Sequence, residues 1–260
     1  MEQAAGQKPV NVACLSVVIG PARIAILLAA LATGMAGRAD ARSTPDSVAP
    51  APDPHPEVEP GQPAVETLPP IRFTADEAQA ARALCVTRLA TENVAAELLA
   101  PIEGEDGCGL AAPLMLSLIG AATVEIRPPA TVGCTLAATL ARWTDTVLQP
   151  LALASFGEKV ATITNVSSYV CRRRNRRPGA RISEHARGNA LDIAAFTLQS
   201  GRIIAILGNW SSGTDNGEFL RKLHERSCGP FGTVLGPDAN DAHKGHFHLD
   251  GTARKSAFCE

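Results

Sequence analysis

Two short stretches of this chain hold side chains suited to grip a metal ion. The first, Ser183-Glu184-His185-Ala186-Arg187-Gly188-Asn189-Ala190-Leu191-Asp192, offers an imidazole and a carboxylate with Gly188 between them. The second, His243-Lys244-Gly245-His246-Phe247-His248-Leu249-Asp250, offers three more imidazoles and another carboxylate. Imidazole nitrogen and carboxylate oxygen are the donors a borderline divalent ion takes. Three protein donors with a fourth position open is the catalytic form of a zinc site. Histidines also cap turns and fill polar cores, so a domain with structural histidines and no metal remains a reading of these residues.

Such donors converge only if regular elements aim them. Residues two apart in a strand share a face. A last strand over 245–249 therefore sets His246 and His248 side by side, with Asp250 next in the row and Phe247 and Leu249 opposite. A strand over 190–198 turns Asp192 away from Leu191 and Ile193. His185 falls in the loop entering that strand, where Gly188 lets the chain bend. If the two strands are neighbours, His185, Asp192 and His248 meet, and His246 stands close enough to exchange a proton with water there.

The remaining elements follow from local signals. Thr74 and Glu77 form a capping box that opens a helix to about Leu89. Residues 93–99 read as extended or a short helical piece, 103–109 as a glycine-rich turn, and 112–126 as short β-prone stretches. Leu136, Leu140, Trp143, Val147 and Leu151 recur at helical spacing from Cys134 to Leu151, with Trp143 in the core. Val160 to Val170 is β-rich, 203–207 is the hairpin partner of 190–198, and 218–226 is a helix with His224 on its polar face. The arginines at 172, 173, 174, 176, 177 and 181 read as a solvated loop. That loop could also supply one arginine to grip a carboxylate with a bidentate pair.

The whole chain bounds what these parts can serve. It has 260 residues, a formal net charge of -2 and a pI near 6.3, a balance that gives no sign of nucleic-acid binding. A basic flank, the apolar run 24–32 and small residues to Ala39 mark residues 1–39 as a secretory signal peptide. An uncleaved N-terminal anchor is the alternative, weakened by Pro21 and Arg23 within the ~20 residues a span needs. Residues 40–70 form a Pro-rich linker, and the compact domain is expected over 71–260. Apart from Cys14, six cysteines fall in that domain with no CxxC pair. In an exported chain they make three disulfides. The expectation is sequential pairing, Cys85–Cys108, Cys134–Cys171 and Cys228–Cys259, in a periplasmic or secreted protein.

The pattern Ser183-x-His185-x-x-Gly188-x-Ala190-x-Asp192 followed by His246-x-His248 resembles the zinc D-Ala-D-Ala metallopeptidases and their LAS-type relatives. More of the chain resembles the bacterial extensin-like C-terminal domain family. The segments are Ser168-Tyr169-Val170-Cys171-Arg172, Asn189-Ala190-Leu191-Asp192-Ile193, Phe231-Gly232-Thr233-Val234-Leu235-Gly236-Pro237 and His243-x-x-His246-Phe247-His248-Leu249-Asp250. The resemblance covers about residues 75–260. It implies an α+β fold, a small central antiparallel sheet flanked by helices, with Zn2+ held by His185, Asp192 and His248. It implies a peptidase acting on peptidoglycan stem peptides, with His246 moving the proton and Arg172 holding a substrate oxygen. Several of these peptidases place an acidic base three residues before the last histidine ligand. Here Gly245 stands there, so activity would rest on His246 or on Glu184, Asp241 or Asp250. A catalytically inactive zinc-binding wall module of the same fold is the alternative.

Overall fold

The computed structural model describes residues 67–260. The expected signal peptide or anchor and all but the end of the linker lie outside the described residues. The first helix, α1 (Ala75–Leu89), starts where the sequence dictates. Thr74 Oγ1 accepts the Glu77 N–H at 3.3 Å, and the Glu77 carboxylate accepts the Thr74 N–H at 2.8 Å. Each satisfies a donor that the first helical turn leaves without a partner.

Strand β1 (Val94–Leu98) settles residues 93–99 as extended. A hairpin of two short strands, β2 (Ile102–Glu103) and β3 (Gly109–Leu110), brackets the glycine-rich turn. Strands β4 (Pro113–Ile119) and β5 (Val124–Gly133) form a longer antiparallel pair. β5 runs through Pro128 and Pro129, beyond the stretch the sequence marked. Its partner on the other side, β6 (Val160–Ser167), pairs only with Glu125–Arg127 and stops at the prolines. Proline has no N–H to give a ladder, so it sits where pairing ends.

Helical residues 134–156 divide into α2 (Cys134–Trp143), a π turn (Thr144–Leu148) and α3 (Gln149–Phe156). Trp143 is buried, donates to Ser227 Oγ at 3.0 Å and meets Phe231 edge-on. Strand β7 (Ala190–Leu198) turns at Gly201 into β8 (Ile203–Ala205). Helix α4 (Asp215–Ser227), β9 (Thr233–Leu235), β10 (Phe247–Asp250) and β11 (Phe258–Cys259) complete the chain. His224 does not lie on a polar face. It is half-buried against Trp210 and Phe247, and its Nε2 meets the Glu260 carbonyl at 3.0 Å.

The α+β class holds, but the sheet is neither small nor wholly antiparallel. Among the described residues it has nine strands in the order β1-β4-β5-β6-β7-β10-β9-β11, with β8 also on β7. The β5–β6 and β9–β11 pairs are parallel. The helical run 134–156 carries the chain from β5 to its parallel neighbour β6, as parallel pairing requires. A central strand pairs on both edges. β7 keeps β6 on one edge; on the other, β10 covers Ala190–Ile193 and β8 covers Ala195–Thr197. Leu191, Ile193, Phe247 and Leu249 are buried in one core with residues of α2, α3 and α4. Each such side chain contributes about 1.5–3 kcal/mol by leaving water.

Three disulfides staple the domain, yet two expected pairings are corrected. The bridges are Cys85–Cys134, Cys108–Cys171 and Cys228–Cys259. α1 packs on α2, which brings Cys85 to the first residue of α2. The β2–β3 hairpin meets the loop after β6, which brings Cys108 to Cys171. Sequential pairing fails because the chain returns to its early elements only after later ones are laid down. Disulfide usage of this kind belongs to an oxidising, non-cytoplasmic compartment. No helix among the described residues is long and apolar enough to cross a membrane.

Candidate metal centre

In the β7–β10 ladder His248 lies directly opposite Asp192, while Phe247 faces Ile193 and Leu249 faces Leu191. Opposite residues of an antiparallel pair project from the same face. The apolar pairs therefore enter the core and the polar pair enters a cavity of about 610 Å³ on the other side. His185 arrives from a 3₁₀ turn over Glu184–Arg187 that ends at Gly188, whose φ of 62° lies in the left-handed region. Any Cβ at Gly188 would also stand 2.9 Å from the Gly133 nitrogen, so glycine is required there twice over.

These elements bring three donor atoms together. His185 Nε2 lies 3.2 Å from His248 Nδ1 and 3.2 Å from Asp192 Oδ1, and His248 Nδ1 lies 2.9 Å from the same oxygen. Tetrahedral ligands at zinc-like bond lengths stand about 3.3 Å apart, so the donor spacing fits such an ion. His185 is fully buried, Asp192 is 4% exposed and the His248 side chain is 12% exposed to the cavity.

Outer partners fix which nitrogens face inward. The His185 Nδ1 lies 2.6 Å from the Ser168 carbonyl, which can only accept. That nitrogen therefore carries the hydrogen and Nε2 presents a lone pair. His248 Nε2 lies 3.2 Å from Asp250 Oδ2, so its Nδ1 is the free nitrogen when the ring is neutral. Two lone pairs and a carboxylate oxygen then point at one another, an arrangement that calls for a cation among them. Without a metal, a proton is the available cation. Burial opposes charge on His248, but Asp192 and Asp250 outweigh it and hold its pKa up to about 9. Burial likewise opposes charge on Asp192, and the His185 and His248 imidazoles beside it still hold its carboxyl well below the usual range.

Arg172 and His246, assigned from sequence to substrate and proton, line the same cavity. His246 precedes β10, and its Nε2 stands 3.7 Å from Asp192 Oδ2, outside the three-donor cluster. Burial first, then the charges of His248, His185 and Arg172, lower its pKa against the pull of Asp192. None of the three acids considered as a substitute base is idle. Asp250 is bonded to His248 and to the Thr252 N–H, and Glu184 to Asn189 Nδ2 at 2.7 Å. Asp241 is exposed and paired with Lys244.

His243 belongs to the cavity too, though sequence reading gave it no role. It is buried, its ring centre is 5.2 Å from that of His246, and its Nδ1 lies 2.9 Å from Asn240 Oδ1. Burial and the neighbouring His246 and His248 push its pKa down to about 4. The signal was the three-residue interval between His243 and His246 beside a 3₁₀ turn, where residues three apart stack on one side.

No curated protein and no solved structure matches this chain. The family described as "Extensin-like protein C-terminus" matches residues 83–260, which include every residue of the cavity. The chain therefore belongs to the extensin-like C-terminal family.

Proposed function

We propose that this protein is a zinc-dependent peptidase of the cell envelope, periplasmic or secreted, acting on peptidoglycan stem peptides. The reading extends the likeness of its motifs to the LAS-type D-Ala-D-Ala metallopeptidases. The observation that carries it is the meeting of two outwardly anchored imidazoles and a buried carboxylate on one open cavity. His185, Asp192 and His248 would hold the ion. Zinc, when bound, supplies a Lewis acid and makes water a stronger acid.

The chain's own groups divide the remaining work. Arg172 presents a permanent positive charge to the cavity, suited to a substrate carbonyl or carboxylate oxygen. His246, its pKa lowered, is neutral near pH 7 and can accept a proton at Nε2 and return it to a leaving amine. β7 and β10 fix the geometry so that little has to move.

Purified full-length chain never exposed to added zinc is expected to contain about one zinc per molecule by elemental analysis. It is expected to release amino acids or shorter peptides from muropeptides, and His246→Ala to reduce the rate about 100-fold or more. Full metal content with no cleavage of any muropeptide would remove the enzymatic half of the reading.

One observation favours a second reading, an inactive zinc-binding wall module: the described residues of the site offer no uncommitted carboxylate, and Gly245 stands where several of the peptidases it resembles carry an acid. The nearest neighbour of a Cβ at Gly245 is the Leu207 side chain at 3.9 Å, so an acid fits there. If the wild type is inert and Gly245→Glu cleaves muropeptides, the module reading holds.

A further inference from the structure

The arginine run does not form a featureless solvated loop. Backbone bonds between Arg172 and Ser183 (3.0 Å) and between Arg174 and Arg181 (2.9 Å) fold it back on itself. Cys171 ties its start to Cys108, and Arg173 forks onto Asp106 at 2.8 and 2.5 Å. Thus held, the loop divides two cavities. One is the cavity of the histidines. The other, of about 460 Å³, is lined by Arg173, Arg174, Arg181, Arg187, Arg254 and the single carboxylate Glu184.

Among the described residues the charge of this second cleft is only partly compensated. Asp106 neutralises Arg173, and Glu184, already bonded to Asn189, lies 3.8 Å from Arg174. Arg254 is held by Thr233 Oγ1 at 3.2 Å. Arg181 and Arg187 have no carboxylate partner among the described residues. Three segments of chain thus line one concavity with cations, and a concave surface of one charge sign draws in ions of the other. Guanidinium groups match the planar or tetrahedral oxygens of carboxylates and phosphates. The volume admits a group larger than one inorganic ion.

We propose that this cleft is an anion-binding site for a carboxylate- or phosphate-bearing segment of an envelope polymer. Arg174 and Glu184 line both cavities, so one molecule can occupy the cleft while a neighbouring part of it reaches the histidines. That continuity rests on the peptidase reading; anion binding itself needs no metal.

The test uses the full chain stripped by chelator, so that loss of the zinc reading leaves the result intact. Calorimetry follows titration with pyrophosphate and, separately, with tricarballylate. At least one is expected to bind with Kd below about 1 mM and to weaken as salt rises. Arg181→Ala with Arg187→Ala is expected to weaken binding by about tenfold or more, and the corresponding double lysine variant to lose less. Preference for pyrophosphate assigns the site to phosphate-bearing polymers, and preference for tricarballylate to carboxylated ones. No saturable binding to the wild type overturns the proposal. So does an equal loss on Arg88→Ala with Arg226→Ala, which removes two exposed charges outside the cleft.

Discussion

His248 faces a carboxylate on each ring nitrogen, Asp192 at 2.9 Å and Asp250 at 3.2 Å. Its raised pKa means that the free chain keeps a proton at the centre up to about pH 9. A metal must displace that proton. Metal affinity is therefore expected to rise about tenfold per pH unit through the neutral range and to level off above about 9, with about one proton released per ion bound. Calorimetry in buffers of different ionisation enthalpy counts that proton. Asp250→Asn can still accept from the ring through its amide oxygen but loses the charge. It is expected to weaken metal binding about 10–100-fold with the fold intact, measured by competition with a chromogenic chelator. At this scale the sequence was informative: strand alternation brought His185, Asp192 and His248 together on condition that their strands were neighbours, and the β7–β10 ladder meets that condition. Asp250 as the outer partner of His248, and the Ser168 carbonyl behind His185, were not legible. Both contacts depend on where side-chain and backbone atoms end up after folding.

Elements decide whether those residues stay aimed. Phe247 and Leu249 are buried on the face of β10 opposite His248. Leu249→Ala is expected to cost about 2–5 kcal/mol of stability in chemical denaturation, a cavity effect under the centre itself. The Cys108–Cys171 bridge acts on the other wall of the cavity, one residue before Arg172. Replacing both cysteines by serine is expected to cost about 2–5 kcal/mol and, if the protein cleaves peptides, to raise KM more than it lowers kcat. The helix opened by Thr74 and Glu77 was readable because its cap is local. β6 was harder: bulges near Thr162, Thr164 and Asn165 shift its facing pattern, so that Val160 and Ile163 are both buried and Val166 is exposed. Two disulfides were misassigned because pairing records the return path of the chain, which no local signal encodes.

Across the whole molecule, the site is a small part of a domain whose core spans the large sheet and its helices. A ligand that binds only the folded form stabilises all of it. With free zinc at about 100 times its Kd, the gain is about 2.7 kcal/mol, so the melting temperature is expected to rise by roughly 5–10 °C. Scanning calorimetry of chelated and loaded chain measures this, and identical transitions would show that the centre takes no zinc. The size of the sheet escaped the sequence because several of its strands are short or interrupted. β11 spans only Phe258–Cys259, and β5 is broken in pattern by Pro128 and Pro129.

The pairing of His248 with Asp192 also sets which length changes the chain can absorb. Strand side chains alternate, so one residue inserted before His248 within β10 would send the imidazole toward the hydrophobic interior and bring its neighbour out. An insertion in the exposed segment around Asp238, outside the paired strands, keeps the alignment of β7 and β10. Two genes differing by one codon at these two places would thus encode one protein that has lost its centre and one that has kept it.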